Sequence, residues 1–125
     1  MKEVVLIGVG GFLGANARYW VGGWVAARMG STFPYGTLVI NVSGSFALGL
    51  LMGAAEFGTI APASRLAFAV GFLGAYTTFS TFTYETLRLI ESGSLLLAAA
   101  NVVASTLVGL AGVFVGALIG RVLAG

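Results

Sequence analysis

The chain has 125 residues, of which 58% are hydrophobic and 8% charged, with a mean hydropathy of +1.03. A soluble domain carries roughly 25% charged residues because its surface faces water, and six basic and four acidic side chains cannot clothe such a surface. With no cysteine and no histidine there are no disulfides, no thiolate chemistry and none of the commonest general base, and no basic run follows a nucleic-acid backbone.

Four apolar stretches follow one another, each near the ~20 residues that cross a ~30 Å hydrocarbon core as a helix. The expected fold is therefore an all-α membrane protein of one domain, with spans at about 4–27, 35–57, 63–90 and 95–123. In the first span Gly10, Gly14 and Gly22 share a face with Arg18 at spacings of four. Lys2 before an apolar run and Ala15-Asn16-Ala17 resemble a signal peptide, but the rest of the chain is just as apolar, so this segment is expected to remain as a span. The run from Gly8 to Gly14 only approximates a dinucleotide fingerprint; its third glycine falls one place late and no acidic residue follows at the required distance. Arg28 through Pro34 closes the first span, and Glu56 through Pro62 the second. Small residues repeat along the second span at Ser45, Gly49 and Gly53, and along the fourth at Gly109, Gly112, Gly116 and Gly120, the pattern of close helix packing in lipid.

The third span is the anomaly. At its centre, Gly71 and Gly74 are followed by Tyr76-Thr77-Thr78-Phe79-Ser80-Thr81-Phe82, the least helix-favouring stretch of the chain. This predicts a helix broken near the membrane midplane, whose freed carbonyls need partners in protein or in a wet cavity; such breaks are where channels and transporters bind ions. Phe79 and Phe82 lie three apart on one helical face, with Ser80 and Thr81 between them. Ring edges are electron-poor, so edges and hydroxyls together suit a small anion held weakly enough to leave. Asn41 and Asn101 sit inside the second and fourth spans, one turn from Thr37 and Ser105. Either these amides glue helices together or they donate to an anion. Arg18 is the one charge well inside a span, an anchor or an anion-attracting vestibule, with Glu85 a plausible partner.

Four spans put both termini on one side, with Lys2, Arg65 and Arg121; the other side holds Arg28 and Arg88. Three against two is a feeble positive-inside signal. Insertion in both orientations, and assembly as an antiparallel dimer, is the expected consequence.

Three segments resemble the Fluc/CrcB family of fluoride channels: Gly11 to Tyr19, Gly36 to Phe46 and Gly71 to Phe82, joined by Asn101 to Ser105 in the fourth span. The likeness covers essentially the whole chain in order and spacing, and the Thr-Thr-Phe-Ser-Thr-Phe run is its most specific part. The resemblance implies an antiparallel, dual-topology homodimer in the cell membrane that exports fluoride passively, with two separate pathways and no enzymatic activity. It implies that Asn41, Phe79, Phe82 and Ser105 line the pathway, with Thr37, Ser80 and Thr81 as further polar lining and Arg18 in the vestibule. It also implies that Gly74 and Thr77 of both subunits give backbone carbonyls to a structural sodium ion. Ala75 stands where many members have a second glycine. The main rival is a proton-coupled exporter of the small multidrug resistance type. That chemistry needs a carboxylate deep in the membrane, whereas Glu3, Glu56, Glu85 and Glu91 all lie at or near span ends. A purely structural membrane subunit would leave the polar strips without a purpose.

Overall fold

The computed structural model describes all 125 residues, and every regular element is helical. Helix α1 runs Lys2–Met29, α2 Tyr35–Ala55, α3 Pro62–Arg65, α4 Gly74–Tyr76, α5 Phe79–Glu91 and α6 Leu95–Ala124, and Leu66–Leu73 is wound as a π-helix between α3 and α4. Taken as crossings, these make four helical stretches of 28, 21, 30 and 30 residues, each long and apolar enough to span a membrane. At ~1.5 Å per residue the 21 residues of α2 reach ~32 Å, about one hydrocarbon core, and the other three project beyond it or tilt. The connections are short. That after α1 turns on Gly30 (φ 79°) and that before α6 on Gly93 (φ 80°), left-handed conformations that a side chain would strain.

The molecule is inverted relative to a soluble fold. Only 16 of 125 residues are buried, and Thr37, Thr78 and Asn101 are among them. Phe12, Leu96, Leu107 and Phe114 point outward instead. Helices held together without apolar burial must touch closely, and the small residues arrange this. Gly49 and Gly53 of α2 lie against the backbone of Val113 and Ala117, while Gly116 and Gly120 of α6 lie against that of Phe46 and Leu50; a methyl group at any of the four would overlap main-chain atoms. Gly10 and Gly14 of α1 press likewise on Ala67 and Phe72 in the π-helical segment, and Gly71 presses back on Ile7. Gly22 meets the side chain of Ile40. The two glycine-rich seams thus make two helix pairs, α2 with α6 and α1 with the first half of the third crossing. Tyr76, Ile40 and Leu73 join the pairs in one small buried cluster.

The π winding was not expected from composition. The Gly74 N–H donates five residues back, to Ala69, and such wide turns occur mostly at functional sites. It brings the chain to α4 and to a change of direction.

Candidate functional site

Between Tyr76 and Phe79 two residues leave helical geometry: Thr77 at φ −79°, ψ 157° and Thr78 at φ −150°, ψ 117°. Both are β-branched and comfortable when extended. The N–H, carbonyl and hydroxyl of Thr78 and the N–H and hydroxyl of Thr77 all have partners. The Thr78 N–H donates to Asn41 Oδ1 at 2.8 Å, and Asn41 Nδ2 donates to the Thr78 carbonyl at 2.9 Å. The Asn41 amide therefore pairs with Thr78 as a neighbouring peptide group would in a sheet. The Thr78 hydroxyl caps α5 by accepting from the Thr81 N–H (3.2 Å) and donates to Thr81 Oγ1 (3.0 Å). Thr77 turns its hydroxyl back to the Leu73 carbonyl at 2.9 Å.

This rerouting has a consequence for two carbonyls. In a continuous helix the Thr78 N–H would bond Gly74 and the Thr81 N–H would bond Thr77. Both donors are taken by side chains, of Asn41 and Thr78, so the Gly74 and Thr77 oxygens lose their helical partners. Oxygen donors of this kind suit a hard cation.

Two cavities meet at Thr78, which lines both. The larger, about 610 Å³, is bordered by Arg18, Thr37, Thr81, Glu85 and Arg88. The smaller, about 310 Å³, is bordered by Asn41, Ser45, Gly74, Thr77 and Phe79. The Asn41–Thr78 pair thus forms a partition with polar space on either side. Phe79 is 77% exposed in the single chain, and its ring lies 5.8 Å from that of Phe82 at 48°. Ser80 is exposed beside them, its hydroxyl 3.5 Å from that of Thr78, at the limit of a hydrogen bond.

A third polar group joins α5 to α6. Buried Asn101 donates to Thr86 Oγ1 at 2.9 Å, Thr86 donates to the Phe82 carbonyl at 2.8 Å, and Ser105 reaches Asn101 Oδ1 at 3.4 Å. Asn101 is therefore a strut that sets the position of α5, with Ser105 at its outer end.

The candidate residues fall into three places. Arg18, Thr37 and Thr81 share the larger cavity; Asn41, Phe79, Gly74 and Thr77 share the smaller; Phe82, Ser80 and Ser105 lie along α5 and its contact with α6. Arg18 and Glu85 border one cavity but form no ion pair; the ion pairs present are Arg88–Glu91 and Arg121–Glu56. Glu85 instead holds Oε1 buried without a partner. Two residues escaped the sequence reading as members of the site. Thr78 is readable in hindsight as the hydroxyl residue just before an amphipathic run. Glu85 follows Thr81 at a spacing of four, which puts both on one face of α5.

Four helices long and apolar enough to cross a membrane, with a gap in one of them and two cavities meeting at that gap, define a multi-pass membrane protein. Family membership is explicit. Residues 5–117 match the model of the family described as CrcB-like protein, Camphor Resistance (CrcB), and the chain belongs to that family. It is 48% identical over 109 residues to a protein of Geotalea daltonii, covering 86% of this chain and 88% of the relative. It is 48% identical over 122 residues to one of Geobacter metallireducens, covering 97% and 98%. To a longer protein of Methylococcus capsulatus it is 54% identical over 120 residues, covering 94% of this chain and 52% of the relative. All three relatives are named fluoride-specific ion channel FluC.

Proposed function

We propose that this chain is one subunit of a fluoride-selective channel through which cytoplasmic fluoride leaves the cell passively, lowering its toxicity. The observation that carries the reading is the Thr77–Thr78 interruption, flanked by polar cavities. The names of the relatives supply the ion. The interruption lies near the midplane of the cell membrane in this reading. Fluoride enters by the larger cavity, drawn by Arg18, and passes Thr37 and the hydroxyls of Ser80 and Thr81. Asn41, the edges of Phe79 and Phe82, and Ser105 line its further course. The Asn41 amide nitrogen carries two hydrogens, of which Thr78 takes one, leaving the second for an anion. Hydroxyls, an amide and ring edges hold a small anion less firmly than a full positive charge would, which keeps it mobile.

The working unit in this reading is an antiparallel homodimer of dual topology. A phenylalanine as exposed as Phe79, beside a polar cavity, supports a second copy closing that side. Where two copies meet, the Gly74 and Thr77 carbonyls of both would hold a sodium ion, which supplies fixed positive charge that ties the two interruptions together. The donor set fits, because these oxygens have lost their helical partners. Ala75 lies between them, and its side chain adds no polar atom.

The test is flux from liposomes holding the purified protein, read with a fluoride electrode after a potassium gradient is shunted. Rapid fluoride efflux with little chloride efflux is the expected result. Equal efflux of both halides, or none, would overturn the reading. Efflux that depends on a proton gradient would favour a coupled exporter instead.

A further inference from the structure

Trp20 and Trp24 are the only tryptophans of the chain, one turn apart on the same face of α1. They are 68% and 59% exposed. Arg28 continues the face by another turn, and its guanidinium carbon lies 4.4 Å from the centre of the Trp24 ring. Stacking holds a guanidinium flat with its donor edge outward, the geometry that grips phosphate oxygens. Arg28 has no carboxylate partner, since the ion pairs use Arg88 and Arg121. It borders neither cavity, so conduction does not claim it.

Beside the two indoles, on the flank of their shared face, lies Gly23. Glycine lowers helix stability relative to alanine, and Gly10 and Gly14 on the same helix offset that by backbone packing. Gly23 does not: nothing of the protein comes within 4 Å of where its Cβ would stand. Gly23 is therefore a bare floor alongside an aromatic wall, with an uncompensated cation at the end where α1 leaves the bilayer. Indole rings favour that depth, with the apolar body in acyl chains and the N–H toward headgroups.

We propose that Trp20, Gly23, Trp24 and Arg28 bind one anionic phospholipid, its phosphate on Arg28 and an acyl chain laid over Gly23 against the indoles. The free positive charge selects an anionic over a zwitterionic headgroup, and the aromatic wall fixes the chain. The site is independent of which ion the protein conducts.

Because no other tryptophan is present, fluorescence excited where tryptophan absorbs and tyrosine does not reports this strip alone. The full-length protein is reconstituted in phosphatidylcholine vesicles containing a small, equal mole fraction of chain-brominated phosphatidylglycerol or chain-brominated phosphatidylcholine. Brominated phosphatidylglycerol should quench more strongly, with an apparent affinity about fivefold higher, as expected for one basic residue at an anionic surface. Arg28→Gln should abolish the difference, and Arg28→Lys, which keeps the charge, should keep both the difference and the fluoride efflux. Equal quenching of the unaltered protein by the two lipids overturns the headgroup preference, as does a preference that survives Arg28→Gln. No quenching by either lipid would mean that another protein surface, such as a second copy of the chain, covers the strip, and this too defeats the proposal.

Discussion

Asn41 does two things that a single amide is able to do at once. Its oxygen and one N–H close the gap at Thr78, and its remaining N–H faces polar space. Replacement by alanine leaves both the N–H and the C=O of buried Thr78 without partners, at about 1–3 kcal/mol for each unsatisfied group. Asn41→Ala should therefore lower stability against SDS in mixed micelles by several kcal/mol and abolish fluoride efflux. Asn41→Asp keeps the acceptor for the Thr78 N–H and should recover part of the stability without the flux. Stability unchanged by alanine would remove the bridging role. The sequence marked Asn41 as either glue or donor, and the geometry shows why that choice stayed open: the bond to Thr78 joins residues 37 apart, and nothing local announces it. Glu85 was hidden for a similar reason. Its distance from the end of α5 reads as peripheral, yet the larger cavity brings the outside in to meet it.

Helices were the most legible level. Hydropathy predicts spans at 4–27, 35–57, 63–90 and 95–123, and the helices long and apolar enough to cross a membrane are Lys2–Met29, Tyr35–Ala55, Pro62–Glu91 and Leu95–Ala124. The differences are at the ends, because hydropathy senses the apolar core while backbone hydrogen bonding carries a helix into the interface. The π-helical winding of Leu66–Leu73 left no compositional trace, being a change of hydrogen-bond register. Glycine spacing did foretell the seams, and it yields a contrast. Gly116→Ala puts a methyl into the backbone of Phe46 and Leu50, and such overpacking costs about 1–3 kcal/mol. At Gly8 a methyl meets nothing within 4 Å of this chain, and alanine there should change stability by no more than about 1 kcal/mol. Unfolding in SDS of the two variants side by side tests the seam. The far end of the same seam is clasped by Arg121, whose Nε and Nη2 reach the Glu56 carboxylate at 2.9 and 2.8 Å. These hydrogen bonds, opposed by slight desolvation and aided by the guanidinium charge, hold the Glu56 carboxyl below its ordinary value of 4.5. A folded value below the unfolded one stabilises fully above the unfolded value and is lost as pH falls through the lowered one. Resistance to SDS should therefore decline below pH 4.5, and less steeply in Glu56→Gln; identical profiles would show the clasp contributes nothing.

Over the whole molecule, charge is spread almost evenly, and each side spends one arginine on a carboxylate: Arg121 on Glu56, Arg88 on Glu91. This sharpens the sequence count of three basic residues against two, in which orientation hangs on a single charge. Thr59→Lys makes the count four against two, and Ser31→Lys with Ser92→Lys and Arg65→Gln makes it two against four, so each variant should commit the chain to one orientation. If the functional pair is antiparallel, each variant alone should lose most fluoride efflux and the two made together should recover it. Because the chain has no cysteine, one introduced at a connection reports orientation by labelling from outside. Full efflux from either variant alone would sink the antiparallel pair. The order of synthesis adds a last point about the bond between Asn41 and Thr78. A ribosome delivers residue 41 well before residue 78, so the group that mends the interrupted backbone is already in the bilayer when the interruption arrives. Nascent Thr78 need never face lipid with its peptide groups unmet, and moving α2 behind the third crossing in a permuted gene would take that protection away.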